Sequence, residues 1–151
     1  MRISGRNARR VILGGLDLRT GRRLLLVRPR QQINDFAQWL LLLRRVQGSG
    51  PVALLLDENR SHTSPANQAL AQRLKFRLFW FPKRSPHLNP VEHLWRWGKQ
   101  HLAANRQDAD IDTLARAFVE GLRGLSPEQA LLNAGVRSKH FWLKRALSHL
   151  F

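Results

Sequence analysis

Three features of the chain predict an α/β fold. A hairpin with a tight glycine turn lies near the front, a uniformly apolar five-residue strand follows, and amphipathic helical segments alternate with strands thereafter. The order β-β-α-β-α-β-α, with more helices behind it, argues for a mixed sheet carrying helices on its faces.

Taken in order, residues 11–18 form a strand containing Gly14-Gly15, and Arg19-Thr20-Gly21-Arg22 forms the turn, where Gly supplies a positive φ. Arg23–Arg28 is the return strand. Asn34 is placed to cap a helix over 35–46, with Phe36, Trp39, Leu40 and Leu43 on one face. Gly48-Ser49-Gly50-Pro51 breaks the chain. Val52–Leu56 lacks alternation, as expected of a strand buried on both faces. Ser64 caps a helix with Pro65 at its first position, ending near residue 74, and residues 76–81 form an aromatic-rich strand. Asn89 and Pro90 start a third helix, and Asp110 starts a fourth that runs to 121. Ser126-Pro127-Glu128-Gln129 opens a fifth as a capping box, and residues 139–150 form the last. Residues 1–10 form a short, polar and basic leading segment. The expected organisation is a basic segment at 1–10, a sheet domain at 11–105, and a helical extension at 106–151 packed on it.

The 151 residues suffice for one domain with a core, and 43% of them are hydrophobic, which excludes a disordered tail. Lys and Arg number 26 against 10 acids, a net charge of +16, so nucleic acid is the first partner to consider. A basic proteome would give the same charge with no partner at all. Cysteine is absent, which removes disulfides, thiolate metal sites and Cys nucleophiles. No apolar run is long enough to cross a membrane, and the N-terminus lacks an apolar signal core. A cytoplasmic, DNA-associated protein is expected.

Two carboxylates stand out. Asp57 ends the apolar strand, where open α/β sheets place ligands; the plain alternative is an Asp that starts a loop. His62, five residues on, could orient that carboxylate, touch phosphate or cap the next helix. Glu92 sits in the first turn of its helix, in Ser85-Pro86-His87-Leu88-Asn89-Pro90-Val91-Glu92, and the helix terminus alone could explain it. By spacing, Glu92 shares its direction with Trp95, Arg96 and Lys99, either a phosphate-gripping face or a plain solvated one. Lys83-Arg84 lies just upstream, and 34 residues separate Asp57 from Glu92.

Asp-x-x-x-x-His followed, at that spacing, by Ser-Pro-x-Leu-Asn-Pro-x-Glu-x-x-Trp resembles the bacterial insertion-sequence and mariner group of DDE transposases, the DDE superfamily endonucleases. The resemblance implies a ribonuclease-H-like fold, two Mg²⁺ (or Mn²⁺) ions held by three carboxylates, and DNA cleavage followed by strand transfer in DNA transposition and recombination. It makes Asp57 the second acid and Glu92 the third, both metal ligands. His62, Asn89, Pro90 and Trp95 support them. Lys83, Arg84, Arg96 and Lys99 are candidate contacts to transposon-end or target DNA. A homodimer and a nucleoid-associated, prokaryotic setting follow by the same analogy.

Two departures stand beside it. The family's Asp-Asn pair is here Asp57-Glu58, with Asn59 displaced by one. The family's first acid lies on a first strand ahead of the hairpin, and that strand and acid are expected to be missing; Asp17 belongs to the hairpin exit. The loss would leave unpaired strand edges, filled by closure, filled by a second chain carrying the strand and the Asp, or left open in a decayed, truncated product. Two acids hold a metal weakly, so the alternative is a non-catalytic basic DNA-binding protein derived from a transposase. A zinc hydrolase using His62, His93, Asp57 and Glu92 matches no usual ligand spacing.

Overall fold

A computed structural model describes residues 1–5, 8–104, 106 and 110–150. The strands are β1 Arg2–Gly5, β2 Ala8–Leu16, β3 Arg23–Arg28, β4 Val52–Leu56 and β5 Phe76–Trp80. The α-helices are α1 Ile33–Gln47, α2 Arg60–Thr63, α3 Pro65–Arg73, α4 Pro90–Gly98, α5 Ile111–Arg123, α6 Pro127–Asn133 and α7 Lys144–Leu150. A 3₁₀ turn, Pro86–Leu88, precedes α4, and a π-helical turn, Lys99–Ala103, continues it. The chain divides into two compact units, residues 1–27 with 87–151, and residues 28–86.

The first unit is built on the sheet β1-β2-β3. The turn after β2 closes as its residues require. Asp17 Oδ1 accepts from the backbone of Arg19 (2.8 Å) and Thr20 (3.0 Å), and Gly21 takes φ +77°. Asp17 is therefore a turn residue. One expectation needs correction: a strand does form ahead of the hairpin. β1 runs antiparallel to β2 in the register Arg2↔Val11, Ile3↔Arg10, Ser4↔Arg9, Gly5↔Ala8. Its one apolar side chain, Ile3, is 7% exposed, which anchors an otherwise polar segment. The β2 edge expected to be open is thus paired within the chain, but β1 does not pair with β4: the described strands form two sheets, β1-β2-β3 and β4-β5. β1 carries no carboxylate.

Behind this sheet lies the core: Ile3, Ile12 and Leu25 from the strands, Leu94 and Trp95 from α4, Phe118, Val119 and Leu122 from α5, and Leu131 from α6. Two glycines permit the close approach. A Cβ on Gly14 would enter the Trp95 indole, and one on Gly98 would enter the Phe118 ring. Arg23 donates to the carbonyls of Gly21 (2.7 Å) and Leu125 (2.6 Å), tying the hairpin to the end of α5. Ser126 and Gln129 form the anticipated capping box (3.0 and 3.1 Å). The last helix is shorter than expected, because residues 138–144 fold into turns closed by Phe141 N–H to Ser138 and Lys144 N–H to Phe141.

In the second unit β4 and β5 pair in parallel, Val52↔Phe76 through Leu56↔Trp80, with α1 and α3 packed in the same unit. Leu54 and Leu56 are buried while Ala53 is exposed, so burial on both faces does not extend along the whole strand. Helix α1 starts at Ile33, not 35. Asp35 accepts from the Gln32 N–H (3.0 Å) and pairs with Arg28 (3.2 Å), so the acid one turn in, not Asn34, sets the start. Phe36, Trp39, Leu40 and Leu43 form its buried face, as the spacing predicts. No described helix is long and apolar enough to cross a membrane.

Candidate functional site

Asp57 is the first residue beyond the β4–β5 ladder, and its side chain remains 56% exposed. A strand end held by hydrogen bonds on one side and opening to solvent on the other suits a carboxylate that must stay accessible. The chain turns sharply here. Asn59 caps α2, its side chain accepting from the N–H and hydroxyl of Ser61 (both 3.0 Å). His62 then comes back over Asp57: Nδ1 lies 2.7 Å from Oδ1 and 3.1 Å from the Asp57 carbonyl oxygen. A nitrogen facing two acceptors carries a proton, so Nδ1 is the donor in this geometry. The His62 ring rests on Phe36, centroids 4.4 Å apart. The hydrogen bond from His62, aided by its charge and by the Asn59 N–H, holds the Asp57 carboxyl below the usual carboxylate range, against a desolvation that pushes the other way.

Asn67, 2% exposed, braces this turn from beneath. Its amide donates to the carbonyls of Ser61 (2.7 Å) and Ile33 (2.9 Å). Gln31 donates to the Ser61 hydroxyl (3.1 Å). Sequence reasoning missed Asn67, since one Asn inside a helical run carries no signal of its own. The displaced amide is also explained: the Asn59 oxygen is spent on Ser61, and Glu58 turns to Lys83 at 3.7 Å on the surface.

Glu92 belongs to the other unit, in the first turn of α4. Asn89 caps that helix, accepting from Val91 N–H at 3.1 Å, and buried Pro90 occupies its first position. The Glu92 side chain is half-buried and, among the described residues, takes no hydrogen bond or ion pair. Other acids are engaged: Asp17 in its turn, Asp35 with Arg28, Asp110 capping α5 (2.7 Å to Thr113), Asp112 with Arg10 (2.6 Å) and Glu128 with Arg137 (2.9 Å). A half-buried carboxylate without a partner is costly unless something else meets it.

The face expected to carry Trp95 beside Arg96 is divided. Trp95 is 4% exposed and packs on β2, whereas Arg96 and Lys99 face solvent. Buried in this way, Trp95 is not available to grip phosphate. Lys83 and Arg84 are exposed, Arg84 with φ +57°. His93 donates from Nε2 to the His87 carbonyl (2.8 Å), which occupies the nitrogen a zinc site would need. No group of three metal-ligating side chains occurs among the described residues.

These elements make the chain a mixed α/β protein of ribonuclease-H-like fold. Its structure is similar to that of the Mos1 mariner transposase catalytic domain with raltegravir and manganese, with TM-score 0.74 and 18% identity, covering 98% of this chain and 78% of that one. The Mos1 paired-end complex with the left transposon end gives TM-score 0.67 at 18% identity, covering 84% and 40%. Protein y4pE/y4sA of Sinorhizobium fredii, itself uncharacterised, is 30% identical over 104 residues, covering 68% of this chain and 75% of that one. The model of the DDE superfamily endonucleases matches residues 2–115, and the chain belongs to that family.

Proposed function

We propose that this chain provides the second and third acids, Asp57 and Glu92, of a transposase centre for metal-dependent DNA cleavage and strand transfer. The observation that carries the reading is Asp57 itself: a carboxylate at a strand end, open to solvent and held below the usual carboxylate range by His62 on a braced turn. Two hard oxygen donors suit Mg²⁺ or Mn²⁺, and Mos1 catalytic-domain structures exist with either ion. The bound ion would supply Lewis-acid activation of the phosphodiester.

The chain's own residues then have distinct tasks. His62 keeps Asp57 oriented through the 2.7 Å hydrogen bond. Asn89 and Pro90 fix where Glu92 begins its helix. Arg84, Arg96 and Lys99, exposed and without an ion pair among the described residues, attract the DNA backbone. No acid lies on the described strands β1 to β3, and in this reading a second polypeptide supplies the third carboxylate. A homodimer acting on transposon ends belongs to the same proposal.

The test is incubation with supercoiled plasmid and Mg²⁺ or Mn²⁺, beside Asp57→Ala and Glu92→Ala. Nicking by wild type that both variants lose supports the reading; nicking that survives in both contradicts it. A second reading, a DNA-binding derivative without catalysis, is favoured by the net charge of +16 beside strands β1 to β3 that carry no acid. It predicts salt-sensitive retardation of DNA with no nicking under any metal.

A further inference from the structure

The approach to the Glu92 helix is fastened at an unexpected point. Pro86–Leu88, with their three backbone carbonyls, form the 3₁₀ turn from which α4 starts. Two of those carbonyls have side-chain donors. His93 takes His87, from within the motif. The Leu88 carbonyl accepts from the indole Nε1–H of Trp142 at 2.8 Å, across 54 residues of chain. Both ends of that bond lie in the same unit.

Trp142 is itself held in place. Phe141 beside it packs against the core cluster, and the rings of Phe141 and Trp142 stand 6.2 Å apart. The surrounding turn is closed by Phe141 N–H to Ser138 (3.1 Å) and His140 N–H to the Ser138 hydroxyl (3.2 Å). The indole thus comes from a folded platform, although 45% of Trp142 faces solvent. The indole N–H to Leu88 is a directional contact that a phenyl ring in the same place could not make.

We infer that Trp142 is a positioning residue for Glu92: its indole clamps the Leu88 carbonyl and fixes the register at which Asn89 caps the acid-bearing helix. This rests on Glu92 being a catalytic acid, but the clamp is observable without metal or DNA. A cap sets the helix start through one side-chain bond, here Asn89 to Val91, and the adjoining Leu88 carbonyl decides where that cap sits. Small displacements of a catalytic group are enough to lose rate.

Amide hydrogen exchange by NMR tests it on the whole chain. In wild type the Trp142 indole N–H should exchange more slowly than a free indole. Trp142→Phe keeps the ring and removes the donor. It should speed exchange at the Val91 and Glu92 amides about fivefold to tenfold, as loss of one neutral hydrogen bond would. The Glu92 carboxyl carbon resonance should shift, while the Asp57 carboxyl and the β2 amides stay put. An unprotected indole in wild type overturns the inference without any variant. So does unchanged Val91 and Glu92 exchange in Trp142→Phe, or a uniform rise through β2 and α5, which would mark a general structural role. Failure of plasmid nicking leaves these readouts intact, so the two proposals fail separately.

Discussion

At the residue scale the Asp57–His62 pair governs what pH and mutation should do. Because the folded Asp57 carboxyl ionises below its ordinary range, its contribution to stability is present above the unfolded pKa and is lost as pH falls through the folded one. His62→Ala should move the Asp57 titration, followed by its carboxyl carbon resonance, up toward the ordinary value. An unmoved titration would mean that the hydrogen bond at 2.7 Å does not set the charge. Asn67 is a harsher test of the turn. Asn67→Ala leaves two carbonyls, Ser61 and Ile33, without their buried donor, and should cost about 2–4 kcal/mol in urea unfolding.

At the element scale the local chemistry was legible and the long-range chemistry was not. The Gly21 turn, the Asn89-Pro90 start and the Ser126–Gln129 box are each decided within four residues, so the sequence displays them. Strand β1 is decided by what it pairs with. Only Ile3 is a buried apolar anchor in Arg2–Gly5, and alternation over four polar-rich positions is no signal at all. The family motif points to Asp57 and Glu92 as candidates, whereas Asn67 and Trp142 bond carbonyls far along the chain, which no spacing reveals. The same reasoning yields a paired prediction. Gly14→Ala drives a methyl into the Trp95 indole and should destabilise by about 1–3 kcal/mol. Gly50→Ala meets nothing within 4 Å and should be close to neutral. Equal effects at the two positions would show that α4 does not sit on β2 as described.

For the molecule as a whole, charge is the dominant property. At +16, binding to duplex DNA should weaken steeply as salt rises, and the slope of log affinity against log salt counts the phosphates neutralised. A flat salt response in a retardation assay would assign the charge to composition alone. Charge also sets acid lability. Asp57, Asp110, Asp112 and Glu128 all titrate below their ordinary range, through His62, Thr113, Arg10 and Arg137 respectively. Each favours the folded state above the unfolded carboxylate pKa, so stability should fall away below about pH 4, where protonation also raises the net positive charge. Arg10–Asp112 joins β2 to α5 and Arg137–Glu128 closes on α6, so acid should loosen the packing of the C-terminal helices.

The central claim, that Asp57 and Glu92 serve one divalent ion, is open to direct measurement. Mn²⁺ added in small steps to carboxyl-labelled protein broadens the resonances of the carboxylates it meets. The account predicts that Asp57 and Glu92 broaden together at the lowest additions, ahead of Asp17, Asp35, Asp110, Asp112 and Glu128, and that Asp57→Ala weakens the effect at Glu92. Broadening spread evenly over the acids, or confined to one of the pair and indifferent to loss of the other, would contradict it.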